Sequence, residues 1–215
     1  GDPDCEIFTA ITPGIVRITV SDANNLGSAT VYCVNSNGKD YITWKNVYCD
    51  GGTGGITGYS DNNQTYGFRC SSDADHMEVI NCMAQHLYYP AYRVGYARDS
   101  VFIGYFCATY QGYLADRCVG MGSYTSFYYT DLVKNCVGAQ GLYGFLYNDK
   151  VVNCTSFCGQ GGFRPNNGDY VYDSVAFCNY YGFMPGFNTT PTSNGVVSSS
   201  LAVASRYATY YGKVQ

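Results

Sequence analysis

From Val79 onward, apolar and polar residues recur with a period of 18. Successive rows begin at Val79, Ala97, Ala115, Val133, Val151 and Val171; the row from Val151 is two residues longer than the four before it. The first column is always Val or Ala. The fourth column holds Cys82, Ser100, Cys118, Cys136, Cys154 and Ser174, small and nearly isosteric throughout. The thirteenth runs Ala91, Thr109, Phe127, Phe145, Phe163 and Phe183, preceded in the later rows by Gly144, Gly162 and Gly182. Within each row, runs of three to five β-formers are separated by Gly, Asn and Asp, and no 3.6-residue period appears. Eighteen residues cannot hold two useful helices.

A fixed period near twenty marks one supersecondary unit stacked on the next. The pattern predicts an all-β, single-domain parallel β-helix, a solenoid whose like columns stack about 4.8 Å apart. Phe over Phe fills the interior with offset-stacked rings, and the glycine before it lets the backbone bend or approach closely. Earlier rows are less regular: Val31-Tyr32-Cys33 and Val47-Tyr48-Cys49 repeat at 16, and Tyr66-Gly67-Phe68 anticipates the aromatic column. The expected division is an N-terminal cap at 1–13, the solenoid at 14–187 in coils of about 18–20 residues, and a C-terminal cap or inter-subunit strand at 188–215. Open solenoid ends expose strand edges that such segments must cover.

Composition narrows the class. The chain has 215 residues, 46% of them hydrophobic and only 13% charged, with 24 Tyr, 26 Gly and 11 Cys. Disordered chains are charge-rich and poor in aromatics. Glutamate occurs only at Glu6 and Glu78, which leaves a helical bundle without its usual residues. The sequence has no apolar run of 18, so no membrane span is expected, and a net charge of −4 gives no footprint for nucleic acid.

Rows such as VVNCTSFCGQGGF and VYDSVAFCNYYGF resemble the right-handed parallel β-helix superfamily of pectate lyases, polygalacturonases and phage tailspikes, over about residues 30–187. The resemblance implies the right-handed form. The left-handed alternative wants an aliphatic residue every six positions, which these rows lack. The family often stacks Asn at a turn column; Cys158 and Cys178 occupy the comparable place here. The resemblance also implies carbohydrate chemistry, yet the Asn-Thr-Asp, Gly-His-Gly and Arg-x-Lys motifs of polygalacturonase-like members are absent.

Glycoside hydrolysis needs paired carboxylates, and here no two aspartates are expected to share a column at a cleft. Asp99 beside Arg117 is expected as a surface pair worth under about 1 kcal/mol. A lyase would need a basic residue such as Lys134 or Lys150 beside bound calcium, for which Asp73 and Asp75 are the weak candidates; otherwise no cofactor is implied. His76 and His86 have no metal-spaced partners and are expected on the surface. The cysteines read mostly as free thiols, with Cys158–Cys178 and Cys33–Cys49 the best disulfide candidates. Asn63, Asn153 and Asn188 begin glycosylation sequons, Asn188 in the most open stretch.

Column fourteen should point outward if column thirteen points inward. That predicts an exposed ladder of Tyr92, Tyr110 and Tyr128, with Tyr129 and Tyr147 alongside, either simple β-propensity or a stripe for sugar rings or another subunit. The reading favoured by the sequence is a non-enzymatic extracellular or virion-surface solenoid. It would be a fibre, filament or tailspike-like subunit, self-associating as a filament or trimer, touching glycan or subunits through tyrosine. The alternative is a polysaccharide lyase or glycoside hydrolase acting on acidic glycans.

Overall fold

A computed structural model describes residues 5–12, 15–20, 31–36, 41–51, 65–70, 76–165, 168–178, 180–184, 195–204, 206–209 and 213–214. They form a single parallel β-solenoid of about six regular turns, with no helix among them. Each turn lays down three strands. The turn that begins at Tyr96, for example, consists of Tyr96–Arg98, Val101–Gly104 and the start of Cys107–Asp116. Corresponding strands of successive turns pair in parallel with an offset of 18, as in Ala97↔Ala115 and Val101↔Val119. Three stacked faces result. The second is a separate ten-stranded sheet. The first and third belong to one 16-stranded sheet, because Cys107–Asp116 and Thr125–Lys134 run through the corner between them.

The columns read from the sequence face inward. Val79, Ala97, Ala115, Val133, Val151 and Val171 line the first face, and the rings of Phe127, Phe145, Phe163 and Phe183 line the third, all buried. Those rings stack nearly parallel, with centroids 5.0, 4.7 and 5.2 Å apart. Column six, which lines the second face, is small apart from the buried Phe102: Ala84, Gly120, Gly138, Ser156 and Ala176. Column twelve approaches it closely, and a Cβ on Gly162 would sit 2.7 Å from Ala176 Cβ and 2.6 Å from the carbonyl of Gly182. Glycine is required there for space.

Column four explains its own Cys/Ser alternation. Each side chain accepts the backbone N–H one turn back: Cys118 N–H to Cys136 Sγ (3.3 Å), Cys136 N–H to Cys154 Sγ (3.4 Å), Cys154 N–H to Ser174 Oγ (3.2 Å). Each also donates to the carbonyl two residues behind it, as Cys136 does to Lys134 (3.1 Å) and Ser174 to Tyr172 (2.7 Å). The position needs a small group that both accepts and donates, which thiol and hydroxyl supply and alanine does not.

Just before it, column three turns the corner with a single left-handed residue. Asn81, Asp99, Arg117, Asn135, Asn153 and Asp173 have φ between 47° and 55°, a region Asn and Asp tolerate best. Amide side chains hydrogen-bond along this corner. Asn81 donates to Asn46 (2.7 Å), Asn153 to Asn135 (2.8 Å), and Asn135 to Asp116 (2.9 Å). The stack lies at column three, one residue before the cysteine corner.

The ends extend the faces. Cys5–Thr12 forms an antiparallel hairpin with Ile15–Val20, which then pairs in parallel with Val47–Asp50 on the second face. Beyond residue 187, Val196–Ser198, Leu201–Ala204 and Tyr207–Thr209 continue the parallel pairing of all three faces. The 16-residue repeat of Val31 and Val47 is not a coil: Val31–Asn35 lies on the third face and Val47–Asp50 on the second.

Candidate functional site

The outer surfaces of the three faces differ in chemistry. The first carries charge. Arg98 pairs with Glu78 (3.2 Å), and the buried Asp116 is held by Arg117 (2.7 Å) and Lys134 (3.5 Å). Arg117 also grips Asp99 with both oxygens (2.6 and 3.0 Å), the expected surface pair; the guanidinium holds that carboxyl below its ordinary range.

The third face carries the tyrosines. Its strands point two consecutive residues inward, columns twelve and thirteen, so columns eleven and fourteen both face out. Tyr66, Tyr89 and Tyr92 therefore meet on one surface, their rings 4.9 to 5.4 Å apart. Tyr92 stacks on Tyr110 (5.1 Å, 6°), Tyr110 meets Tyr128 edge-on (5.3 Å), and Tyr128 stacks on Tyr129 (4.4 Å), which contacts Tyr147 (5.4 Å). A parallel column of Tyr88, Phe106 and Tyr124 stacks alongside at 5.4 and 5.0 Å. Arginines close the ribbon at both ends. Arg69 lies over Tyr32 and Tyr66 (4.6 and 4.8 Å), and Arg164 over Tyr143 and Tyr147 (5.4 and 5.1 Å), contacts favoured by the negative ring faces.

This corrects the expected exposed ladder. Tyr92, Tyr110, Tyr128 and Tyr147 are half-buried and only Tyr129 is exposed. The column then continues as Leu146, Arg164 and Met184, all buried; Leu146 and Met184 form a second small core with Tyr143 outside the solenoid. Burial and neighbouring phenols push the hydroxyls of Tyr110 and Tyr128 up, and Tyr66 to about 12. Tyr66, Tyr110 and Tyr128 therefore keep their O–H groups at neutral pH. Tyr129 and Tyr147 also hold φ of 54° and 55°, a conformation that costs a bulky residue about 1 kcal/mol or more.

Two carboxylates near the ribbon share a column, although no cleft lies at them among the described residues. Asp131 and Asp149 are 18 residues apart, and the register Leu132↔Lys150↔Tyr170 places Asp131, Asp149 and Asp169 in successive turns. Burial and the charge of Asp149 hold the Asp131 carboxyl above its ordinary range. Each lies two residues beyond a ribbon tyrosine, Tyr129 or Tyr147. Their 18-residue spacing was the available signal.

Other candidates are placed as follows. Asp73, Asp75, Asn63 and Asn188 lie outside the described residues. Among the described residues no three His, Cys, Asp or Glu side chains are placed to hold a metal ion. His86 is half-exposed and bonds Asp50 (2.9 Å), which also accepts from Tyr48 (3.0 Å) and Gln85 (3.2 Å). His76 stacks on Tyr41 (4.5 Å). Asn153 stands at an exposed corner with its amide engaged by Asn135. The ten cysteines from Cys33 to Cys178 are thiols rather than disulfides, the four disulfide candidates among them. Cys158 and Cys178 stack in adjacent turns, and burial pushes Cys158 up to about 12. Cys33 and Cys49 come from different faces and meet as hydrogen-bonded thiols, which together with burial raises Cys49. Lys150 lies 5.9 Å from the ring centre of Tyr172.

The outer second face went unread in the sequence. Its columns five and seven are aliphatic and aromatic, and Phe157, Phe177, Leu201 and Val203 are exposed. The signal was present in the rows as Val101, Val119, Val137 and Val175 at one position.

In comparisons with protein-family models, curated proteins and solved structures, nothing matches this chain.

Proposed function

We propose that the chain is a non-enzymatic structural β-solenoid of an extracellular or virion-surface appendage, a self-associating fibre, filament or tailspike-like subunit that holds a glycan on its tyrosine ribbon. The observation that carries this is the ribbon's continuity from Tyr66 to Tyr147. Flat ring faces suit the apolar faces of sugars, phenolic O–H groups suit their hydroxyls, and turns about 4.8 Å apart repeat at close to the length of a pyranose. The rows' resemblance to the right-handed parallel β-helix superfamily agrees with carbohydrate contact. A glycan array probed with the 215-residue chain tests the reading. Binding to a defined set of linear glycans that is lost in Tyr92→Ala/Tyr110→Ala supports it; absence of any binding refutes it.

The stacked Asp131 and Asp149 favour a second reading, a glycoside hydrolase. Carboxylates one turn apart approach the roughly 5 Å spacing of retaining enzymes, and a carboxyl held above its ordinary range suits the acid role. It predicts release of reducing ends from the bound glycan, abolished by Asp131→Asn. The lyase alternative is weaker, since Lys134 is engaged by Asp116.

A further inference from the structure

From Met83–Leu87 to Leu201–Ala204, the two outward columns of the second face carry no charge; Asp50, bonded to His86, lies on the strand before. Between Met83 and Val203, parallel register aligns Val101, Val119, Val137 and Val175 in one column and Ile103, Met121, Phe157 and Phe177 in the other. Thr155 and Gln85 are the polar members of these two columns over that span. Charge is instead concentrated on the first face. The second face is most apolar where it is most exposed: Phe157 is 50% and Phe177 42% exposed, their rings stacked at 5.1 Å, followed by Leu201 (58%) and Val203 (52%). Single exposed apolar residues are ordinary; a contiguous stripe of them marks an interaction surface.

We propose that this face packs against the same face of a second copy of the chain, sheet on sheet. The size of the surface argues for that occupant. Seven strands about 4.8 Å apart span about 30 Å along the axis, and four residues per strand give a central band about 13 Å wide. With one exposed corner column on either side the footprint reaches about 600 Å², the lower end of what each partner buries in a stable interface. The apolar band becomes its centre and the Asn/Asp corner its polar rim, the anatomy of stable interfaces. A copy of the same face presents ladders at the same spacing, so side chains of one interdigitate with those of the other, and a two-fold axis lets the surface complement itself. The tyrosine ribbon stays outside. This inference identifies which face self-associates within the appendage reading and does not depend on the glycan.

Sedimentation velocity on the 215-residue chain at about 100 μM tests it. The expected mass is twice 23.5 kDa. Met121→Glu/Phe157→Glu, which sets like charges against each other, should yield monomer. Phe157→Ala, at a half-exposed position whose loss leaves the interior intact, should weaken association about tenfold. Tyr92→Ala, on the other face, should leave the dimer unchanged. A wild-type monomer at that concentration overturns both the inference and self-association. An assembly that survives the second-face variants overturns the inference alone.

Discussion

Cys136 offers a sharp test of how the corners are held. Its thiol is 1% exposed, accepts the N–H of Cys118 at 3.3 Å and donates to Lys134 at 3.1 Å. Alanine removes both bonds. The Lys134 carbonyl keeps another donor, the N–H of Arg117 at 3.2 Å, but the Cys118 N–H is left buried without an acceptor, which costs about 1–3 kcal/mol. Serine restores both bonds, since Ser100 and Ser174 already serve at the same position with accepting distances of 3.1 and 3.2 Å. Serine should therefore be the milder change by about 1–2 kcal/mol, although it is the more polar residue. At about 2–4 °C per kcal/mol for a chain of this size, Cys136→Ala should melt about 2–12 °C below wild type, with Cys136→Ser between them. Thermal and urea melts followed by far-UV circular dichroism give the order, and hydrogen exchange at the Cys118 amide should accelerate in the alanine variant alone. If alanine proves as stable as serine, column four is merely a position for small side chains and the hydrogen-bond account is wrong.

Three further outcomes are expected. The hydroxyl of Thr109 is buried without a hydrogen bond, beside a cavity of about 10 Å³ lined by Ala91, Ala97 and Ala115. Thr109→Val should raise stability by about 1 kcal/mol in urea melts, and a loss of that size would mean the hydroxyl is engaged. Asp131 has its carboxyl raised, so its share of stability is fully present below the unfolded-state value near 3.8 and is lost as pH rises through the higher folded value. Asp131→Asn should thus melt above wild type at pH 7 and lose that advantage toward pH 3; an advantage that persists in acid would contradict the assignment. In alkaline titration followed at 295 nm, Tyr66, Tyr110 and Tyr128 should ionise after the ordinary phenols. Replacing them with Phe should remove the late portion of the curve, and a curve left unchanged would show the ribbon to be open to water.

The solenoid was legible because its columns repeat without interruption. Val at column one, Cys or Ser at column four and Gly-Phe at twelve and thirteen each see the same environment in every turn, so spacing alone identifies them. The tyrosine ribbon was only partly legible. Strict alternation placed column fourteen outside, which is right, but could not show that columns twelve and thirteen both point inward. That doubled inward step brings column eleven out beside column fourteen and half-buries Tyr92 and Tyr110 under their neighbours. The acidic column was obscured by the two extra residues in the row from Val151, which hide the alignment of Asp169 with Asp149 until the pairing of Tyr170 with Lys150 restores it. The apolar second face was missed for a different reason. Columns five and seven lie either side of the inward column six, and Phe157 and Phe177 are apolar yet face out, so apolar character alone does not mark the interior.

The glycan reading stands or falls on the tyrosines themselves. Isothermal titration of wild type, Tyr110→Ala and Tyr110→Phe with an array-selected oligosaccharide measures their part directly. The account predicts about tenfold or greater loss for the alanine variant, with Tyr110→Phe retaining most of the affinity because the ring face carries the stacking. Undiminished binding by Tyr110→Ala, with its melting curve showing an intact fold, would contradict it.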